Sequence, residues 1–540
     1  MDRRICTCCV ALVAALAVTA CGSDSTTSTV ASATTRGTLV ENPPLRIASL
    51  DAADFQAQLG ASSAGAQLLQ LTGPPACGVD FYYLKFWTVG GAGESTQSSG
   101  ALMVPTGAAP GCSGPRPIVL YAHGTQSNKL LNIANITDPA NTEGALIAAM
   151  FAAQGFIVVA PNYAGYDIST LGYHPFLNAS QQSAEMMDIL AAARTALPRT
   201  FAAGTRDSGA LLVTGYSEGG HVAVATVKAL EAAGQPVTAA AGGSGPYALE
   251  AFGDAIMFGH VNIGSTAFAP LLTTSYQHAY GNIYQSTGDI YSSTYATGID
   301  TLLPSATPIG TLFGENKLPQ GALFDSTTPT VTVPGNVVLS AELTAALAPP
   351  APTSSPEAPI FDAGFGNPYL INNDTRVAYA EDAATDPDGE DTPLTGMAAS
   401  PALARAPPGY PLRKAFYLND MRSWYGSTLP GAPLLMCGGE NDPTVFYSVN
   451  TGTMAAYWSA VPTVFTLDVD PAGGPSGPYA MIQGAFQASE AQALAYLQTP
   501  AGGGLSLLSA ETQLAEGYHS AVAPFCTLAA RAFFMQALAE

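Results

Sequence analysis

Ser217 stands in Gly215-Tyr216-Ser217-Glu218-Gly219, with one more glycine, Gly220, behind it. A serine hydroxyl is a poor nucleophile at neutral pH. It becomes a good one when a base within hydrogen-bond reach takes its proton and a third group holds that base. The flanking glycines give this serine a place to act: where a strand turns sharply into a helix the two backbones nearly collide, and the residues two before and two after the nucleophile have no room for a side chain. Ala210–Thr214 reads as a short buried strand and Val222–Leu230, rich in Ala and Val, as a helix. Ser217 is therefore expected at a helix N-terminus, where free N–H groups favour developing negative charge.

Six histidines are candidates for the base: His123, His174, His221, His260, His278 and His519. His123 ends an apolar run, and His221 lies one turn into the elbow helix. His260 and His278 fall in a segment of different character, and His174 precedes the serine. A nucleophile elbow of this kind takes its partners in the order serine, acid, histidine, so His519 is expected to be the base, in a loop before a final helix Pro524–Ala539. The acid should follow the strand before the last one. Asp442, in GGENDPTV after the apolar run Ala432–Cys437, fits; Glu440 comes two residues early, and Asp468 and Asp470 one strand late. A tetrahedral oxyanion also needs two backbone N–H donors. Thr125, after the strand-like run Pro117–His123 and Gly124, supplies one and Glu218 the other. Together these residues would attack a carbonyl, form an acyl-enzyme and release it to water.

The elements that must position them alternate. Strand-like runs at 117–122, 156–160, 210–214, 236–241, 432–437 and 464–469 are separated by helical stretches at 141–154, 183–197 and 222–230, which implies an α/β fold with a mostly parallel sheet between helices. Ahead of them, Asp80–Val89 and Ala101–Pro105 read as a strand pair, and Gln56–Leu71 as a short helix. From 244 to 411 the pattern becomes helices, Gly/Ser/Thr loops and a Pro-rich run at Ala348–Pro359, which reads as a large cap inserted before the acid-bearing strand. Its tyrosines Tyr276, Tyr280 and Tyr284 are expected to pack the cap. The acidic run Glu381–Asp391 reads as a solvated loop, with weak calcium binding by Asp386, Asp388 and Asp391 as the lesser alternative, since a full twelve-residue ligand pattern is missing.

Composition sets the compartment and excludes some partners. Charged residues make up 11% of the 540, against about 25% in ordinary domains, while 47% are hydrophobic, which suits a compact protein with many loops rather than a disordered one. A net charge of −22 would repel nucleic acid and anionic lipid alike. Arg3 and Arg4 precede the apolar stretch Val10–Ala20, too short to span a bilayer, and Val18-Thr19-Ala20-Cys21 resembles the bacterial lipoprotein signal in which the cysteine is lipidated. The alternative is an ordinary signal peptide cut near Ala20. Residues 1–21 are thus read as a signal, 22–40 as a Ser/Thr-rich tether, 41–243 and 412–540 as two parts of one core, and 244–411 as the cap. The chain is expected in the bacterial envelope or secreted, as a monomer touching membrane only through its lipid anchor, with no cofactor and no metal. Four cysteines remain beyond Cys21, and they allow three pairings. Cys77–Cys112, bracketing an N-terminal hairpin, and Cys437–Cys526, tying the acid loop to the base, are the favoured pairs. The second would contribute about 3 to 5 kcal/mol on the chain-entropy model.

GYSEGG at 215–220, YAHGT at 121–125, APNYAGY at 160–166 and the large cap resemble the α/β-hydrolase superfamily and, within it, the secreted lipases of bacteria and fungi. The match covers about 118–243 and 412–539. The resemblance implies hydrolysis of carboxylic esters, often acylglycerols, beneath a helical lid over an acyl pocket. Two departures stand out: Asn162 where an aspartate is commoner, and a long excursion at 470–517 where a short loop leads to the histidine. Rival readings are a serine peptidase of the same fold, which needs carboxylates to hold a substrate amine, and a lipoprotein that only binds ligands.

Overall fold

A strand that reads as an unbroken apolar run has to be covered on both faces, and this chain supplies the covers in sequence order. The computed structural model describes residues 35–201, 204–329, 340–349, 358–385, 407–424 and 431–539. The signal, most of the tether and Cys21 lie outside them, as do Asp386, Asp388, Asp391 and much of the Pro-rich run. Strand β1 (Leu45–Leu50) leads through helices α1 (Ala52–Gly60) and α2 (Ser63–Thr72) to the long hairpin β2 (Gly78–Val89) and β3 (Ser95–Thr106). Then follow β4 (Pro115–Ala122), α3 (Thr142–Met150), β5 (Ile157–Pro161), α4 (Ala179–Ala196), β6 (Arg206–Tyr216), α5 (Glu218–Ala232) and β7 (Ala239–Gly243).

An inserted segment comes next: α6 (Leu249–Met257), α7 (Ser265–Tyr280), α8 (Ile309–Gly314), β8 (Phe324–Asp325), α9 (Ala341–Ala346), α10 (Ala358–Asp362), β9 (Phe365–Gly366), α11 (Asn373–Thr385) and α12 (Pro411–Asn419). The main sheet resumes with β10 (Leu434–Gly438), α13 (Thr453–Tyr457) and β11 (Val464–Asp468), and the described chain closes with α14 (Ala480–Gln498) and α15 (Leu507–Ala537). The sheet order is β1-β2-β3-β5-β4-β6-β7-β10-β11. The pairings that join β1 to β2, β2 to β3 and β3 to β5 are antiparallel, and from β5 onward every pairing is parallel.

Alternation along each strand sorts side chains to two cores. In β4, Val119 and Tyr121 enter a cluster with α1, α3 and α15, while Ile118, Leu120 and Ala122 face a second cluster with α4 and α5. Both faces are therefore covered, and β2 is mostly buried as well. The inserted segment has an apolar cluster of its own, in which Tyr276 is buried and Tyr280 and Tyr284 pack against it. Leu412, Ala415 and Phe416, which the sequence assigns to the returning core, pack with that inserted cluster. Buried Arg413 joins α12 to α6 through Asp254, two contacts of 2.9 Å, and to Asp382 of α11 at 3.3 Å. Disulfides pair Cys77 with Cys112 and Cys437 with Cys526. Among the described residues, no helix is long and apolar enough to cross a membrane.

Among the described glycines, an added Cβ would come closest to another backbone at the elbow. A Cβ added to Gly219 would lie 1.9 Å from the Ala122 carbonyl oxygen at the end of β4, and one on Gly215 would lie 2.2 Å from the Gly219 oxygen. Gly219→Ala is expected to cost about 3 kcal/mol or more in chemical denaturation, because strand and helix must separate. Gly473→Ala, where nothing lies within 4 Å of the added carbon, is expected to stay within about 0.5 kcal/mol. Equal midpoints for the two variants would contradict this account of the turn.

Candidate active site

Ser217 sits between the last residue of β6 and the first of α5, with φ 59° and ψ −125°. A non-glycine residue adopts such a backbone only where its surroundings enforce it, and strain of this kind gathers at functional sites. The Ser217 amide donates to the Gly243 carbonyl at 2.9 Å, and Gly220 donates to the Ser217 carbonyl at 2.8 Å, so the turn is fixed from both sides. Ser217 lines a cavity of about 110 Å³ together with Thr125 and Glu218.

Asp442 and His519 meet, 77 residues apart in sequence, through a 2.6 Å contact from imidazole Nδ1 to Oδ2. The other carboxylate oxygen accepts the amides of Thr444 at 2.9 Å and Val445 at 3.0 Å, so the acid is locked by its own loop. With Nδ1 donating to the carboxylate, Nε2 keeps its lone pair. That nitrogen is buried and hydrogen-bonds to no described residue, Ser217 included. Catalytic hydrogen bonds commonly tighten only once a substrate is bound. Tyr216, the neighbour of Ser217, brings the imidazole to the elbow: its hydroxyl donates to the His519 carbonyl at 2.5 Å and its ring lies 5.0 Å from the imidazole. Cys437, in β10, is bonded to Cys526 seven residues beyond His519, so the strand before the acid loop and the helix carrying the base are crosslinked.

One expectation needs correcting. His519 is not in a loop before a helix starting at Pro524; it lies well inside α15, which begins at Leu507 and passes through both Gly517 and Pro524. The excursion at 470–517 accordingly consists of α14 and the first turns of α15, packed on one another and on the sheet.

Thr125 and Glu218, the expected oxyanion donors, line the same cavity as Ser217. A Cβ on Gly124 would lie 3.6 Å from that of Ser217, which brings the loop after β4 against the elbow. Glu218 opens α5, so the helix leaves its amide unpaired. Its buried carboxyl points elsewhere, to His174 Nε2 at 2.7 Å and Gln182 Nε2 at 2.6 Å. The other histidines are accounted for by packing. His221 Nε2 donates to the Asn419 carbonyl at 2.8 Å, and burial lowers its pKa and keeps it neutral. His123 lies tilted against Tyr163 with ring centres 4.1 Å apart, and His278 stacks on Tyr173 at 3.7 Å. His260 lies among Phe361 and Phe446. The contacts of Tyr216, His174 and Gln182 are not legible in the sequence: Tyr216 is a variable position of the elbow motif, His174 precedes the serine, and all three find partners remote in the chain. Asn162 holds the loop after β4, accepting the Ile133 amide and donating to Ser99, each at 2.8 Å.

No family model and no curated protein matches the chain. Solved structures do. It is similar to the rice cell wall degrading esterase LipA from Xanthomonas oryzae, at 22% identity and a TM-score of 0.58, over 80% of this chain and 91% of that one. It is also similar to a protein of Legionella pneumophila, at 17% identity and a TM-score of 0.60, over 92% and 98%. At such identities the likeness concerns the fold, and with the sheet order and the elbow it identifies this chain's fold as that of the α/β-hydrolases.

A fluorophosphonate probe, which reacts with activated serines, is expected to modify Ser217. Asp442→Asn, which presents the imidazole with the wrong tautomer, is expected to slow that reaction by about 10³–10⁴-fold. Mass spectrometry of the labelled peptide and the labelling rate check both statements. Equal rates in the variant and the wild type would remove Asp442 from the site.

Proposed function

We propose that this protein is a serine carboxylic-ester hydrolase that acts on esters with an apolar acyl part. The observation that carries the reading is the surface Ser217 faces. Phe176, Leu249, Phe252, Met257, Phe268 and Phe416 are among its walls, and Glu218 is the one ionisable side chain among the described lining residues, its carboxyl engaged by His174 and Gln182. Asn262, also in the lining, donates to the Thr444 carbonyl at 2.7 Å. An amine-recognising peptidase needs carboxylates in that space, and an acyl chain needs what is there.

In this reading Ser217 Oγ attacks the ester carbonyl while His519 Nε2 accepts its proton and Asp442 stabilises the imidazolium. The amides of Thr125 and Glu218 bind the oxyanion. His519 then returns the proton to the leaving alcohol, and water, activated by the same imidazole, releases the acid. The two disulfides and the lipoprotein-like Val18–Cys21 support an exported protein, since disulfides persist in oxidising compartments. The similar protein of Xanthomonas oryzae is an esterase, which agrees with the same chemistry here.

Purified protein is expected to hydrolyse a short-chain nitrophenyl ester and an acylglycerol emulsion and to leave an amino-acid arylamide intact. Ser217→Ala is expected to lower ester turnover by about 10⁴-fold or more. Turnover of the arylamide alone would favour the peptidase, and turnover of none of the three would favour a binding protein.

A further inference from the structure

The amide of Gly124 is already taken. Glu143, the second residue of α3, accepts it with both carboxyl oxygens, at 3.0 and 3.2 Å, and accepts the Tyr121 hydroxyl at 2.8 Å. These partners bracket the turn that ends in Thr125: Tyr121 is the penultimate residue of β4, and Gly124 immediately precedes the oxyanion donor. The half-buried Glu143 lies beside the turn where it meets the elbow, since a Cβ on Gly124 would lie 3.7 Å from Glu143 Oε2 and 3.6 Å from the Ser217 Cβ. The base of α3 is fixed in its turn by Asn141, whose side chain caps Gly144 at 3.0 Å and donates to the carbonyls of Ile133 and Asn135, each at 3.0 Å.

A carboxyl drawn partly out of water is costly unless its oxygens are paired; the first turn of α3 favours an acid here, and its oxygens engage the turn after β4. No cation forms an ion pair with Glu143 among the described residues. Burial raises its pKa above the ordinary carboxylate range, with Glu218 acting in the same direction and His123, Tyr121 and Gly124 in the other. The Gly124 N–H is thus engaged by Glu143, and the amide of Thr125, which donates to no described residue, is the next along the chain.

We propose, on the ester-hydrolase reading above, that Glu143 is a positioning residue for acyl transfer: its carboxyl, hydrogen-bonded to Tyr121 and Gly124, fixes the His123–Thr125 turn so that the Thr125 amide faces the oxyanion formed at Ser217. It touches neither substrate nor reacting atoms. Its contribution is felt only when charge develops on the carbonyl oxygen, which separates it from a residue that merely supports the fold.

The test compares Glu143→Ala with Glu143→Gln, which keeps a carbonyl for the Gly124 amide, using the nitrophenyl ester and amide hydrogen exchange. Glu143→Ala is expected to lower kcat by about 10²–10³-fold, the usual loss of an oxyanion donor, with KM within about threefold. Glu143→Gln is expected to recover kcat to within about tenfold of wild type. Exchange across 121–127 should rise at least about tenfold in the alanine variant and stay protected in the glutamine variant, with the elbow at 214–221 unaffected in both. Should Glu143→Ala fail to fold, Glu143→Asp, which draws the acceptor back by one carbon, carries the same comparison. A kcat for the alanine variant within threefold of wild type, a KM that rises in step with the loss, or unaltered exchange would overturn the proposal. If the wild type turns over no ester, the hydrolase reading falls, and the exchange result alone decides whether Glu143 holds the turn.

Discussion

Asp442 accepts three hydrogen bonds, two from amides of its own loop and one from the imidazole of His519 at 2.6 Å, and the site depends on this carboxylate being held before the histidine arrives. The two halves of that arrangement have different origins. The loop bonds are local, to the residues two and three positions on, so GGENDPTV carries its own geometry wherever β10 ends. The imidazole comes from a helix whose position is set by nothing local. It is delivered by the packing of α15 against the sheet, by the Cys437–Cys526 crosslink and by Tyr216, whose hydroxyl reaches the His519 carbonyl. Preorganisation of this kind lowers a barrier because no side chain has to be ordered at the moment of reaction.

The sheet explains why these pieces converge. β6, β4, β7 and β10 are neighbours with parallel pairing, so their C-terminal ends, which carry Ser217, the Thr125 turn and the Asp442 loop, open on one edge. The segment inserted between β7 and β10 contributes α6 and α7 to that edge and most of the apolar wall around Ser217. Carboxyls engage the backbone and side chains on either side: buried Glu218 is anchored to His174 and Gln182, and half-buried Glu143 takes the Gly124 amide. Chemistry and binding surface thus come from different parts of the chain, with the sheet supplying the first and the insertion the second.

What could be read from the sequence was whatever a single backbone constraint writes into adjacent residues. Gly215 and Gly219 are legible because a Cβ at either would run into backbone, and Asp442 because its loop follows an apolar run in the expected order. Both disulfide pairs were recoverable from which elements had to meet. The helix around His519 was not, because Gly517 and Pro524 signal a break that tertiary packing overrides: a Cβ on Gly517 would meet nothing within 4 Å, and Pro524 is accommodated inside α15. Strand β1 escaped notice because Leu45–Leu50 is an edge strand, half-exposed and without alternation. Glu143 leaves no trace at all, since one glutamate in an Ala-rich helix has no spacing to betray it.

The most direct test of the central claim is the crystal structure of the protein inactivated with a phosphonate ester. The account predicts phosphorus bonded to Ser217 Oγ, the phosphoryl oxygen about 2.7–3.1 Å from the amides of Thr125 and Glu218, and His519 Nε2 within about 3.2 Å of the serine or leaving-group oxygen. An adduct on another residue, or an imidazole still well beyond hydrogen-bond reach of the Ser217 oxygen, would contradict it.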